Sequence, residues 1–492
     1  MNRRCAGANP LPIPTMNLNL LLPLLMSAAL GISPAASQTK PLVHAVVDLG
    51  HQFTFYGDGR FHRQYLSDQK GVTSWGSLFN FDLSNANLLV LLGCDEHLGY
   101  VPQDLKTISG FLAAGGGVVV LGSAGDKPLN ALAGNFGCEF GGHAKKPFKP
   151  VNAPVTGEIA GGGDTLKLRE PKAWEVLIAD ADDAPLLARR KIGRGTLLVG
   201  ARGLAGSNPD ASDDINAGWW QPVLTAAAAG KTVDSGKPFK GRGLGELDHT
   251  VKAGRLTLRY SDYLQPYAKD MLAIYQRSVP FIEKRMGVPL SEGMASEIGL
   301  LATGGGGFSS GQMIGLAVFW GDFPKREDSM IEFLTHESVH SWVLPFAEIW
   351  NEPIATYVGE LVMADMGYKD EAMRRIKGTI ERASRIDATL KLYDLDGASH
   401  SGAPKLEGGK ANDMHWGKAF WVLEQLRAQE PEVLARYFRA KRQLAKPGAL
   451  TRYDANATVA VLSVAMKRDL FPWFREIGFD VDRAKSAIPV PD

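Results

Sequence analysis

The side chains best suited to chemistry in this chain stand in His336-Glu337-Ser338-Val339-His340 and, further on, Trp350-Asn351-Glu352. A helix puts residues i and i+4 on one face, so both imidazoles can reach one metal ion. Glu337 projects beside them, where a water on that ion would sit. Eleven residues separate His340 from Glu352. That is enough to end one helix, turn and begin another, so the Glu352 carboxylate can close the site as third protein ligand. Two His, a Glu and a water make a catalytic zinc arrangement, with ligand atoms about 2.0–2.2 Å from the ion. Zinc brings the pKa of its water to about 7. Glu337 is then placed to take the water's proton and deliver it to a leaving group.

The elements needed to hold these groups can be read around them. Met330, Ile331, Phe333 and Leu334 lead into the first histidine with apolar residues at helical spacing. Asp328 is the expected N-cap, and Pro345 the expected stop. Glu348, eight residues after His340, is a rival third ligand. Thr356 and Glu360, one and two turns beyond Glu352, face the same way, and either could orient a zinc-bound His from behind. The strand Met313–Phe319 precedes the metal helix and is expected at the sheet edge facing the cleft, where an extended substrate could pair with it. Gly311 and Gly315 would keep its side chains from blocking that approach.

At this point the chain resembles a known group. HESVHSW with IWNEPIATYVGE is similar to the zinc signature of the gluzincin aminopeptidases, with Trp342, Asn351, Glu352, Ala355 and Tyr357 in register. The resemblance implies a thermolysin-like fold, a zinc ion and peptide hydrolysis. It also resembles the enhancin-like, mucin- and glycoprotein-directed peptidases, which share a short spacer before the Glu. The aminopeptidases add a Tyr hydroxyl, from a Tyr-x-Lys-Gly stretch, that steadies the transition state. Here the similar stretch is Met414-His415-Trp416-Gly417-Lys418. Trp416 holds the Tyr position, so His415 is the expected donor, with Tyr393 and His400 as alternatives. The aminopeptidases' GxMEN strand has no clear counterpart. In its place stand Gly304 to Phe308 and Gly311 to Trp320. Cleavage that does not depend on a substrate's free amino end is therefore expected.

Length and composition set the frame. A chain of 492 residues is too long for one core, so two or three domains are expected. Hydrophobic residues at 45% and charged residues at 22% are ordinary for a globular protein. With 54 basic and 53 acidic residues, nothing points to nucleic acid or an anionic membrane surface. Arg3 and Arg4 precede an apolar run from Leu18 to Ile32, and Ala35-Ala36-Ser37 offers a cleavage site. This reads as a signal peptide over residues 1–37, and the mature chain as secreted or periplasmic, off the membrane.

Residues 41–230 read as an α/β domain with a parallel sheet. Leu42–Asp48, Asn87–Gly93 and Gly117–Gly122 are buried-strand runs, and Pro102–Ala114 between the last two has a helical period. Gly195–Gly200 is a later strand and Trp220–Ala229 a closing helix. This half resembles the class I glutamine-amidotransferase-like domains, with a flavodoxin-like sheet. The turn where those enzymes carry their Cys reads Gly122-Ser123-Ala124-Gly125 here, which implies a non-catalytic domain. Cys94, in Gly93-Cys94-Asp95-Glu96-His97, keeps open a thiol-dependent amidotransferase-type hydrolase. Whether Cys94 pairs with Cys138 is also open. Residues 231–250 read as a linker. Residues 251–492 form the α+β metallopeptidase domain: strands at Arg255–Tyr260, Glu297–Leu301 and Met313–Trp320, a long helix over Pro266–Met286, and a mostly helical remainder. Such a domain would act on a peptide, protein or glycoprotein. A glycan-binding adhesin with a vestigial peptidase half is the alternative from another class.

Overall fold

The computed structural model describes residues 42–51, 70–153, 155, 158–205, 216–290, 296–302, 306–310, 313–343, 346–399, 401–448, 450 and 452–491. Residues 1–37, read above as a signal peptide, and Gly304, Gly305, Gly311, Gln312, Pro345 and His400 lie outside these.

Short runs of Val, Leu and Ala, buried on both faces, build the first sheet. Strands β1 (His44–Asp48), β2 (Lys70–Ser74), β3 (Leu88–Leu92) and β4 (Gly117–Gly122) are parallel, with helix α1 (Pro102–Ala113) crossing from β3 to β4. Such continuous apolar strands need cover on both sides. Helix α2 (Lys127–Asn135) follows, capped by Asp126. Then come β5 (Cys138–His143), β6 (Lys149–Pro150), β7 (Asp164–Leu168), β8 (Trp174–Ala179), β9 (Pro185–Ile192), β10 (Gly195–Ala201) and helix α3 (Ala217–Ala228). The strand order is β2-β1-β3-β4-β10-β9-β8-β6, with β5 and β7 paired apart.

The expectation of a parallel sheet needs correction. Five strands are parallel, but β10 joins β9 in an antiparallel hairpin, and β8 and β6 extend the sheet the same way. The hairpin turns at Gly193, whose φ of 58° suits glycine.

The second half has its own sheet, β11 (His249–Ala253), β12 (Leu256–Tyr260), β13 (Glu297–Leu301), β14 (Gly307–Ser310) and β15 (Met313–Ala317), in the order β11-β12-β13-β15-β14. β15 is therefore an inner strand, and the edge falls to β14, contrary to expectation. Helix α4 (Gln265–Met286) packs between β12 and the helices that follow, and ends where Gly287 takes a left-handed turn at φ 70°. After β15 the chain is mostly helical: α5 (Glu327–Trp342), α6 (Asn351–Met363), α7 (Lys369–Ser384), α8 (Gly408–Gln429), α9 (Val433–Leu444), α10 (Ala455–Met466) and α11 (Phe471–Glu476). No helix among the described residues is long and apolar enough to cross a membrane.

Residues 41–492 cluster as one unit. Tyr263, entering α4, donates to Asp104 on α1 at 2.6 Å and accepts from the Leu78 N–H at 2.8 Å. Leu98, after β3, packs against cores of both halves. Residues of the 231–250 stretch lie along β2, where the Arg242 N–H donates to the Thr73 carbonyl at 3.0 Å.

Candidate metal centre

Helices α5 and α6 pack side by side and bring His336, His340 and Glu352 together, with ligand atoms within 4.8 Å of one another. α5 starts one residue before Asp328 rather than after it. Arg326 stands at its N-cap, and the Asp328 carboxylate pairs with Arg326 and Arg375 instead of capping. Two acids in the first turn still suit the helix dipole. α5 is buried along most of its length against α4 and the β15 core, which leaves the histidines little freedom.

The two imidazole Nε2 atoms are 3.2 Å apart. Glu352 brings one oxygen 3.3 Å from His336 Nε2 and the other 3.6 Å from His340 Nε2. Ligand atoms about 2.0–2.1 Å from a tetrahedral zinc stand roughly 3.3 Å from each other, so the imidazole pair matches an edge of such a site, and each imidazole has one carboxylate oxygen near that distance. Proton placement agrees. His340 Nδ1 lies 3.3 Å from the amide oxygen of Asn351, which can only accept, so Nδ1 carries the hydrogen and Nε2 presents a lone pair. His336 Nδ1 is 2.9 Å from the Thr356 hydroxyl, which can accept in the same way. With both Nδ1 atoms so protonated, two lone pairs would face each other beside a carboxylate, an arrangement that a cation among them relieves. The donor set therefore fits zinc, with Thr356 and Asn351 fixing the rings from behind.

The charges respond to this crowding. Burial works against protonation of His336, but Glu352, Glu337 and Glu332 outweigh it and raise its pKa. Burial, then the charge of His336, lowers that of His340. Glu352 is held low, against its burial, by His336, His340 and, more weakly, His415. Glu337 is buried beside them at 5% exposure, and burial pushes its carboxyl up to about 7.

Glu348 is not at the centre. It is buried with Lys441 and accepts from the Tyr437 hydroxyl at 2.6 Å. Glu360 also misses the histidines. It faces Glu332 and lies 3.7 Å from Arg375, and burial together with Glu332 pushes its carboxyl up to about 8. His415 approaches from α8 with its Nδ1 3.0 Å from the Leu395 carbonyl. Trp416 packs partly buried on the helical core, and Tyr393 is buried against Leu390 and Met414. Cys94 lies far from nucleophile chemistry: burial, then Asp126, raises its thiol well above the usual range. Its neighbour His97 instead bonds Asp95 and stacks on Phe319. Cys94 and Cys138 are both free thiols.

Sequence reasoning missed the role of β14. A Cβ on Gly307 would stand 2.7 Å from Glu337 Oε1, so only glycine lets this edge strand press against the carboxylate. The glycine tract gave the signal, but its lack of apolar alternation hid the strand.

No protein-family model matches the chain, and no curated protein does. Among solved structures, the yeast LTA4 hydrolase in complex with bestatin is 15% identical with a TM-score of 0.32, over 50% of this chain and 39% of that one. A ThuA-like protein from Parabacteroides merdae is 12% identical with a TM-score of 0.29, over 40% of this chain and 93% of that one. The β-galactosidase from Bacillus circulans sp. alkalophilus is 15% identical with a TM-score of 0.26, over 40% of this chain and 32% of that one. The chain thus spans less than half the length of the hydrolase and the galactosidase. Likenesses this slight bear on neither fold nor chemistry.

Proposed function

We propose that this chain is an exported zinc metallopeptidase, with a thermolysin-like catalytic half over residues 251–492 and a non-catalytic amidotransferase-like half over residues 41–230. The observation that carries the reading is the convergence of two imidazole Nε2 atoms and the Glu352 carboxylate beside the buried Glu337 carboxyl. His336, His340 and Glu352 would hold the ion. Zinc, when bound, supplies a Lewis acid and brings water's pKa toward neutrality. Glu337 takes the proton from the attacking water and passes it to the leaving amine, a transfer that suits a carboxyl poised near neutral pH. His415 is the second donor to the developing oxyanion. Its Nδ1–H is engaged by the Leu395 carbonyl, so it donates from Nε2 only when protonated.

The substrate is a peptide, protein or glycoprotein segment bound in extended form along β14, whose outer edge is unpaired among the described residues. β14 reads Gly-Phe-Ser-Ser and offers no carboxylate for a free α-amine. Export rests on the basic start, apolar run and small-residue site of residues 1–37.

The deciding experiment is a proteomic cleavage-site profile of the zinc-loaded wild type beside Glu337→Ala, with zinc content measured in both. Cleavage should vanish in the variant while zinc stays. Equal profiles would put the base, or the activity, elsewhere. A second comparison uses one peptide with a free and with an acetylated amino end. Both should be cut at similar rates, and a collapse on acetylation would reveal an amine-binding group outside β14.

A further inference from the structure

The two ligand-bearing helices are joined by a short connection, and a third helix grips it. Lys441 on α9 has no exposed surface. Its ammonium donates to the Val343 carbonyl at 2.6 Å, to the Phe346 carbonyl and to Glu348. It also lies 4.4 Å from the centre of the Tyr453 ring. Tyr437 donates to the other Glu348 oxygen and lies 2.9 Å from the Tyr453 hydroxyl. Next along α9, Arg442 donates to the Trp342 carbonyl at 2.8 Å.

These contacts have one target. Trp342 and Val343 are the last carbonyls of α5, which a helix leaves without partners of its own. Phe346 and Glu348 are in the connection, and Glu352 begins the first turn of α6. The cluster therefore fixes both the end of the helix bearing His340 and the path to Glu352. A buried ion pair is weak evidence for stability, because desolvation offsets much of its attraction. Several kinds of apolar core could fill this space. A single ammonium here gathers the last carbonyl of α5 with a backbone carbonyl and a carboxylate of the connection.

We infer that Lys441, with Glu348 and Tyr437, is a positioning cluster for the metal centre: it sets the separation of His340 from Glu352, so that its loss weakens zinc binding although no ligand is touched. This rests on the metal reading above.

The test is zinc affinity, measured by competition with a chromogenic chelator on the purified chain, and the visible spectrum of the Co2+-loaded protein, which reads ligand geometry. The variants are Tyr437→Phe, the double replacement Glu348→Leu/Lys441→Met, and His336→Ala. The double replacement removes both charges together and so avoids stranding one of them. Tyr437→Phe deletes a single hydroxyl and keeps the ring. Loss of a group bonded directly to a metal ligand weakens binding about 10- to 100-fold, and this cluster acts one contact further out. We expect about tenfold or more for the double replacement, a smaller loss in the same direction for Tyr437→Phe, and an altered Co2+ spectrum in both. Wild-type affinity and spectrum in either variant, with zinc lost in His336→Ala, would overturn the cluster alone. Zinc held as tightly by His336→Ala as by wild type would overturn the metal reading and the cluster with it.

Discussion

Glu337 shows how a residue suited to catalysis burdens the fold. Its carboxyl is buried next to Glu352 and Glu332, and burial first, then those charges, raise it from 4.5 to about 7 despite His336. A raised acid favours the folded state while protonated. That contribution is complete below its unfolded pKa and is lost as pH rises through the folded one. The metal-free Glu337→Gln protein should therefore be more stable to unfolding than wild type at pH 8, by on the order of 2 kcal/mol, and the two should converge near pH 5. Superimposable melting curves across that range would show that burial does not strain this carboxyl. At this scale the site was unusually legible. Helical spacing alone places His336 beside His340, and the Asn351-Glu352 pair marks the next helix. Glu348 illustrates the limit. Nothing near it in sequence tells that Lys441 and Tyr437 claim it, because those partners come from a helix far along the chain.

At the scale of elements, α5 and α6 carry the candidate ligands and β14 lies against Glu337. The tight contact of Gly307 with Glu337 predicts that Gly307→Ala will displace the carboxyl from the water that the proposed reaction has it deprotonate. A small misplacement of a reacting group is costly. The expected result is a fall in kcat of about tenfold or more with zinc content unchanged. An unaltered kcat would mean that Glu337 finds a second productive position. Behind the metal, Thr356→Ala should weaken zinc binding by about tenfold, with Thr356→Ser close to wild type, as chelator competition would show. Strands with continuous Val and Leu, such as β1, β3 and β4, could be read directly, as could the long α4. The antiparallel extension could not. β8 and β9 are set by their antiparallel ladder, with Arg189 beside Glu175 across it, and cross-strand partners leave no periodic trace in a single sequence. β14 is short and rich in glycine, so tertiary pairing with β15, not pattern, makes it a strand.

At the scale of the whole molecule, the seam between the two sheets is charged and buried. His51 donates from Nδ1 to Asp48 at 2.7 Å, faces Asp104 at 3.4 Å, and lies between the rings of Tyr100 and Tyr263. Burial opposes its protonation, but Asp48 and Asp104 prevail and raise its pKa from 6.5 to about 9. A raised histidine stabilises fully below its unfolded pKa, and the contribution disappears as pH climbs through the folded one. The melting temperature should thus decline between pH 6.5 and about 9, and His51→Asn should flatten that decline. An unchanged slope in the variant would assign the loss to other groups. In open α/β sheets the crevice at the carboxyl ends of the strands is where ligands usually bind. Here Asp48, at the carboxyl end of β1, and Asp104 meet Tyr263 from the other half instead. The consequence is one of modularity. A gene fusion that borrowed residues 251–492 would leave Tyr263 without its acceptor, and one that borrowed residues 41–250 would bare an imidazolium between two carboxylates. Either fragment should melt at a lower temperature than the intact chain, and equal melting would show that each half stands without the other.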